Sequence, residues 1–216
     1  NYDKLTSKNL GLYDVENVID YFGIQRCSKI YTLNLVDVDD VHIESIAKTF
    51  INIEKLSIER ASISDRPFSY CSKMSKLKEF KLSGFFARTK LEFLQYLKEL
   101  TTLELTNITD ITNLQFINRL NKLQSIKICR FNQIKDYTFL KDLTNLTCLY
   151  LEANREVEHL AFLSCLSNLN RLTVSLSTIA DLEHLINLKK LTHLNLSNSR
   201  ICTNFDYLQF FTTIEN

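Results

Sequence analysis

The chain has 216 residues, 45% of them hydrophobic and 24% charged, with a formal net charge of +1. That is ample apolar material for one continuous core, and the charge balance lacks the one-signed basic footprint that phosphate binding asks for. Three Gly and one Pro leave little room for flexible linkers, no apolar run has the length of a membrane span, and no basic-then-apolar leader opens the sequence.

In chain order, residues 1–9 are polar and belong, with the segment up to residue 29, to an expected N-terminal repeat and cap. Val15, Val18, Ile19 and Phe22 then fall on one face of a predicted helix, with Asp14 as its N-cap and Gly23 past its end. Residues 41–50 show the same spacing through Ile43, Ile46, Ala47 and Phe50, so α-helices are predicted in the early part of the chain. From 51 to 99 the pattern is least regular and contains Pro67; an extended or bulged segment is predicted there. From 100 to 211 apolar residues recur at every third position, as at Leu114, Ile117 and Leu120, the spacing of short α or 3-10 helices. The last apolar unit has no polar cap before Asn216, and since terminal repeats normally carry a polar face, either continuation past that residue or a cover over that end is expected.

Between these segments runs one fixed motif. An apolar residue opens each unit at Ile30, Ile53, Leu77, Leu100, Leu123, Leu146, Leu169, Leu191 and Ile214, in steps of 22 to 24 residues. Apolar residues return at the fourth and sixth places, as at Leu33/Leu35, Leu56/Ile58, Phe80/Leu82, Leu103/Leu105, Ile126/Ile128, Leu149/Leu151, Leu172/Val174 and Leu194/Leu196; Leu10/Leu12 fit the same frame. A fixed period in the twenties means a solenoid.

This L-x-x-L-x-L spacing, followed by a ninth place and apolar residues three apart, resembles a leucine-rich repeat over residues 7–216. The tail spacing, as in residues 179–196, is similar to the subclass shared by a protein phosphatase 1 regulatory subunit and bacterial internalins. The resemblance implies an α/β solenoid, a horseshoe with a parallel inner sheet and outer α or 3-10 helices, in a single domain spanning 1–216 with repeats over 30–213. It also implies non-catalytic protein binding, in roles such as phosphatase targeting, scaffold assembly or contact with a host protein. One departure concerns the ninth place, where the family prefers Asn for its bonds to buried turn backbone. Here it reads Val38, Ala61, Phe85, Ile108, Phe131, Asn154, Ser177 and Ser199, so the turns from 38 to 131 are expected to be less regular than those from 154 on.

With the fourth and sixth places inward, strand alternation sends the third, fifth and seventh outward, with the eighth at the rim. The charged residues there are Asp14, Asp37, Lys55, Glu59, Arg60, Glu79, Lys81, Glu104, Lys127, Arg130, Glu152 and Arg171, six acidic and six basic. Neighbouring repeats alternate in sign at Lys55/Glu79, Lys81/Glu104 and Glu104/Lys127, so much of the stripe neutralises itself. A mixed face with Tyr and Arg suits a protein partner better than nucleic acid. The candidate partner-binding residues are Lys81, Glu104, Lys127, Arg130, Tyr150, Glu152 and Arg171.

Catalytic and metal-binding constellations are absent from the sequence. Its four histidines, His42, His159, His184 and His193, are spread over distant repeats, and no nucleophile elbow, phosphate-binding loop or paired zinc-ligand motif occurs. The sequence therefore implies no enzyme, no cofactor, no metal and no evident small-molecule substrate. Cys129 and Cys148, both assigned outward, lie on neighbouring strands but four places out of register, roughly 13 Å apart at about 3.3 Å per residue, beyond the ~7 Å reach of a disulfide. All six cysteines are expected to be free thiols, which points to the cytoplasm or another reducing compartment, a host cytosol in the case of an effector. The sequence thus points to a non-catalytic module that binds a protein partner on its concave face. The alternative is a recognition or spacer segment of a longer protein whose activity lies elsewhere.

Overall fold

A computed structural model describes residues 9–12, 31–61, 64–85, 90–108, 111–154, 157, 159–180, 182–201 and 209. The helix predicted from Asp14 to Gly23, as well as Cys27, Cys202 and the chain's last residues, lies outside the described set.

The recurring apolar pairs build the inner sheet. Its strands are β1 (Asn9–Leu12), β2 (Thr32–Val36), β3 (Lys55–Glu59), β4 (Glu79–Phe85), β5 (Thr102–Ile108), β6 (Ser125–Cys129), β7 (Cys148–Glu152) and β8 (Arg171–Ser175). A short pair, β9 (Thr178–Ile179) and β11 (Arg200–Ile201), forms a separate two-stranded sheet, while β10 (His193–Asn195) closes the main one. All neighbours are parallel, in the order β1-β2-β3-β4-β5-β6-β7-β8-β10. The register joins like places: Leu35, Ile58, Leu82, Leu105, Ile128, Leu151 and Val174 stand in one row. Each is almost wholly buried. A slip of one residue would turn that row to solvent, which is why the pattern fixes the pairing.

The opposite layer changes character along the chain. α1 (Asp40–Thr49) covers the predicted 41–50 segment, and Asp39 caps it by accepting from the Val41 and His42 N–H groups at 3.0 and 3.1 Å. The bulge predicted around Pro67 is instead a helix, α2 (Asp65–Cys71). Pro67 occupies its first turn, where no N–H has an intrahelical partner to lose. Phe68 of this helix stacks on Phe93 at 4.7 Å, and Phe93 meets the edge of Phe80 at 5.8 Å, filling the least regular part of the array.

From Glu92 on, the three-residue spacing gives 3-10 helices at Glu92–Tyr96, Gln115–Arg119, Thr138–Asp142, Ala161–Cys165 and Glu183–Asn187. The apolar spacing coincides with the bonding: Ile117 N–H donates to Leu114 O, Leu120 to Ile117 and Leu123 to Leu120, at 2.9 to 3.0 Å. Side chains three apart eclipse in such a helix, and all four of these are buried in the core.

The turns differ from expectation. At the eighth place of every described repeat the backbone is left-handed, with φ of +49° to +62° at Asp37, Arg60, Gly84, Asn107, Arg130, Ala153, Leu176 and Asn198. The exit from the strand is thus equally regular at both ends of the array. Its common device is a backbone bond to the following repeat, such as Asp37 N–H to Glu59 O at 3.0 Å and Arg130 N–H to Glu152 O at 3.0 Å. The ninth-place side chains Val38, Ala61, Ile108 and Phe131 simply fill the core.

Asn154 does make the expected bonds, accepting from Phe131 N–H at 2.8 Å and donating to Ile128 O at 2.7 Å. Ser199 makes the same two with a hydroxyl, accepting from Ser177 N–H at 3.3 Å and donating to Val174 O at 3.0 Å.

Candidate functional site

The open face of the sheet is divided by its ion pairs. From β2 to β5 every cation has a carboxylate. Arg60 binds Asp37 with two bonds, Nε to Oδ1 at 2.9 Å and Nη2 to Oδ2 at 2.7 Å, and this pair holds the Asp37 carboxyl below its usual pKa. Lys55 reaches Glu79 at 2.5 Å and Lys81 reaches Glu104 at 2.7 Å, as the alternation of sign predicts. Glu104 and Lys127 are also register partners, but Lys127 lies 3.7 Å from Glu152 while Glu104 holds Lys81. Each of these pairs is exposed to solvent, which screens it and leaves it a minor contributor to stability.

From β6 on the cations are in excess. Arg130 and Arg171 are exposed and carry no ion pair among the described residues. Tyr150 lies half-buried between them, with Lys127 and Thr173 as its register partners. Burial raises its phenol pKa, the neighbouring Cys148 thiol adds to the rise, and Arg171 and Lys127 oppose it. The register sets Tyr150 opposite Lys127 on one neighbouring strand, with Cys148 and its register partner Arg171 two places back. The candidate residues therefore fall into two sets: Lys81 and Glu104 neutralise each other, while Lys127, Arg130, Tyr150, Glu152 and Arg171 share the face over β6, β7 and β8.

Strand alternation places Cys129 outward, but it is only 4% exposed. Burial pushes its thiol up to about 11, with Glu152 beside it contributing to the rise. The seventh place is likewise closed at Val36 and Ser175 but half-buried at Ser83, Thr106 and Glu152 and exposed at Glu59. Cys71 is buried too, its thiol pushed up to about 12. The described cysteines, Cys71, Cys129, Cys148 and Cys165, are all free. At neutral pH the two buried thiols stay protonated, which removes the thiolate that nucleophilic or metal chemistry requires.

One residue of this face escapes an inspection of charges. Leu176 is 54% exposed and sits at a left-handed eighth place, with φ of +54°. A leucine has no intrinsic reason to be in either situation, and the combination of strain with exposure is the signal that marks it. Elsewhere, shallow cavities of about 370 and 320 Å³ open beside the outer helices, one at Ser69, Glu92 and Tyr96 and the other at Lys135, Thr138 and His159. Among the described residues no helix is long and apolar enough to cross a membrane, and none of their His, Cys, Asp and Glu side chains cluster in a group that could hold a metal ion.

No protein-family model matches the chain, and no curated protein matches it in sequence. Solved structures do. Internalin C2 of Listeria monocytogenes superposes with a TM-score of 0.72 at 26% identity, over 87% of this chain and 79% of that one. Internalin InlF of the same bacterium gives 0.61 at 21% identity, over 89% of this chain, and a leucine-rich repeat protein of Leptospira interrogans gives 0.75 at 16% identity, over 95%. The chain spans 62% and 52% of the length of these last two.

Proposed function

The chain is a leucine-rich repeat protein resembling the bacterial internalins, a fold that serves protein interaction in general; from that premise we propose that it binds a protein partner on the open inner face of its sheet and performs no catalysis. The observation that carries the reading is the set of unpaired cations flanking Tyr150. Arg171 lies exposed one strand from Tyr150, and Arg130 lies exposed three places further along the other neighbouring strand of a preformed sheet; Tyr and Arg are the side chains that most often dominate interface energetics. Lys127 and Glu152 complete the centre, and Lys81 with Glu104 forms a neutral margin.

Such a face costs little to order on binding, because its strands are already held on both sides by backbone bonds. About nine strands at about 4.8 Å each make a surface on the order of 40 Å long, enough for one globular partner. The free thiols support a reducing compartment as the place where the chain works.

Capture of partners from a cell lysate, followed by affinity measurement with the identified partner, tests this. Arg130→Ala, Tyr150→Ala and Arg171→Ala together are expected to weaken that affinity at least tenfold, the effect of about 1.4 kcal/mol. Unchanged affinity would move the binding surface to the outer helices or the loops.

A further inference from the structure

The charges on the inner face are distributed unevenly, and this, taken with the inner-face reading above, specifies the partner's chemistry. From β2 to β5 the face carries Asp37, Glu59, Glu79 and Glu104 against Lys55, Arg60 and Lys81. Every one of those cations is bound to a carboxylate at 2.5 to 2.9 Å. From β6 to β8 it carries Lys127, Arg130 and Arg171 against Glu152 alone, and that carboxylate is held loosely, 3.7 Å from Lys127. The two arginines stand at opposite ends of their strands, two strands and five places apart, roughly 19 Å on the spacings of a sheet. Tyr150 lies between them and Leu176 borders the same face, two strands from Arg130 along the row of eighth places.

We propose that the face over β6, β7 and β8 receives an extended acidic segment of the partner protein, with carboxylates on Arg130 and Arg171 and an apolar side chain against Tyr150 and Leu176. An extended chain covers about 3.3 Å per residue, so carboxylates about six residues apart meet both guanidiniums while the residues between them cross Tyr150. A guanidinium with no internal carboxylate is free to form the two-pronged bond that planar carboxylates accept. Leu176 has the left-handed backbone of every eighth place, held by its N–H bond to Ser197 O at 3.2 Å, and in this arrangement a partner's apolar side chain takes its 54% exposed side chain out of water. The acidic balance over β2 to β5 repels the segment from the other half of the sheet and so fixes where it lies.

The probe is the fluorescein-labelled peptide Asp-Asp-Ser-Leu-Phe-Ser-Asp-Asp, titrated with the full chain and followed by anisotropy. Two control peptides replace every Asp by Asn or by Lys, and a labelled oligouridylate stands for single-stranded nucleic acid. The acidic peptide is expected to bind at least about tenfold tighter than the Asn version and to weaken as salt is added. Arg130→Gln and Arg171→Gln are each expected to weaken it about fivefold, and Leu176→Asn, which suits the left-handed turn, should weaken it without disturbing the fold. Equal binding of the Asn peptide, preference for the Lys peptide, or insensitivity to the two Gln variants overturns the proposal. Tighter binding of the oligouridylate, lost in those same variants, overturns it in favour of nucleic acid. If the peptides fail to discriminate while a captured protein partner is still lost on changing Tyr150, Arg130 and Arg171, the inner face remains the binding surface and only its acidic specificity falls.

Discussion

The two halves of the array solve the same packing problem with different materials. From β2 to β4 the outer layer is α-helical, the gap behind the sheet is filled by Phe68, Phe80 and Phe93, and the inner face is closed by mutual ion pairs. From β5 on the outer layer is single 3-10 turns of near-identical spacing, polar side chains at the ninth place tie repeat to repeat from Asn154 onward, and the inner face leaves two arginines without carboxylates. The difference separates the scaffold from its use. A solenoid tolerates either outer layer because each repeat answers only to its neighbours, so the half whose cations are all paired reads as support and the half with spare cations reads as surface.

The largest effect expected from breaking this comparison is in the aromatic half. Phe80→Ala removes the ring whose edge meets Phe93 and leaves a cavity behind β4. A loss of about 3–5 kcal/mol is expected in urea unfolding. Because contacts run only between adjacent repeats, hydrogen exchange should quicken first in β3, β4 and β5 while β7 and β8 keep their protection. Uniform loss of protection across the sheet would mean that the two halves unfold as one.

In the other half the comparable change is Asn154→Ala. It strands the buried Phe131 N–H, with a penalty of about 1–3 kcal/mol when left unpaired, and takes one bond from Ile128 C=O. Ser199→Ala removes the same pair of bonds at a less buried site, so a smaller loss is expected. Equal losses would show that burial of the amide contributes nothing.

A smaller and opposite pair of effects tests the turns common to both halves. Leu176→Gly relieves a left-handed leucine and exposes no core, so it should stabilise by about 1 kcal/mol. Gly84→Ala should destabilise by about as much. A Cβ built at Gly84 would lie 3.6 Å from the Arg60 backbone nitrogen, an ordinary contact, so the cost there is one of backbone conformation and not of collision. Thermal unfolding of the two variants side by side checks both signs.

The repeat period, the register and the inward rows are legible in the sequence because one spacing rule fixes them all: Leu103 and Leu105 can be buried together only if their strand lies in step with Phe80/Leu82 and Ile126/Ile128. The left-handed eighth place is not legible, since Gly84, Asn107 and Asn198 hint at it but Arg60, Arg130, Ala153 and Leu176 conceal it. Helix α2 is hidden by Pro67, whose effect depends on which turn it occupies. Cys129 looks outward by alternation and is nonetheless covered, while Glu59 at the same place is exposed, a difference the spacing alone does not carry. For the binding face, composition identifies the charged places, but the competition for partners is settled in space. Lys127 has carboxylates on both sides, and only the fold decides that Glu104 goes to Lys81.

The smallest effect concerns the most complete ion pair of the supporting half. The Asp37 carboxyl accepts two bonds from Arg60 and its pKa lies below the ordinary value as a result, the hydrogen bond being the main cause. A carboxyl whose pKa is depressed by folding adds stability above its unfolded pKa, about 3.9, and loses that contribution as the pH falls through the folded value. The pair is fully exposed, so its effect on unfolding should be slight, whereas its effect on titration should be plain. Followed by carboxyl chemical shifts, Asp37 should titrate below the ordinary carboxyl value, and Arg60→Ala should return it toward that value. Arg130→Ala, at the same place three repeats later, should shift no carboxyl at all, because no carboxylate is bound there. A carboxylate that does move in the Arg130 variant would show that the second half of the face is as self-neutralised as the first, and the proposed acidic partner would lose its foothold.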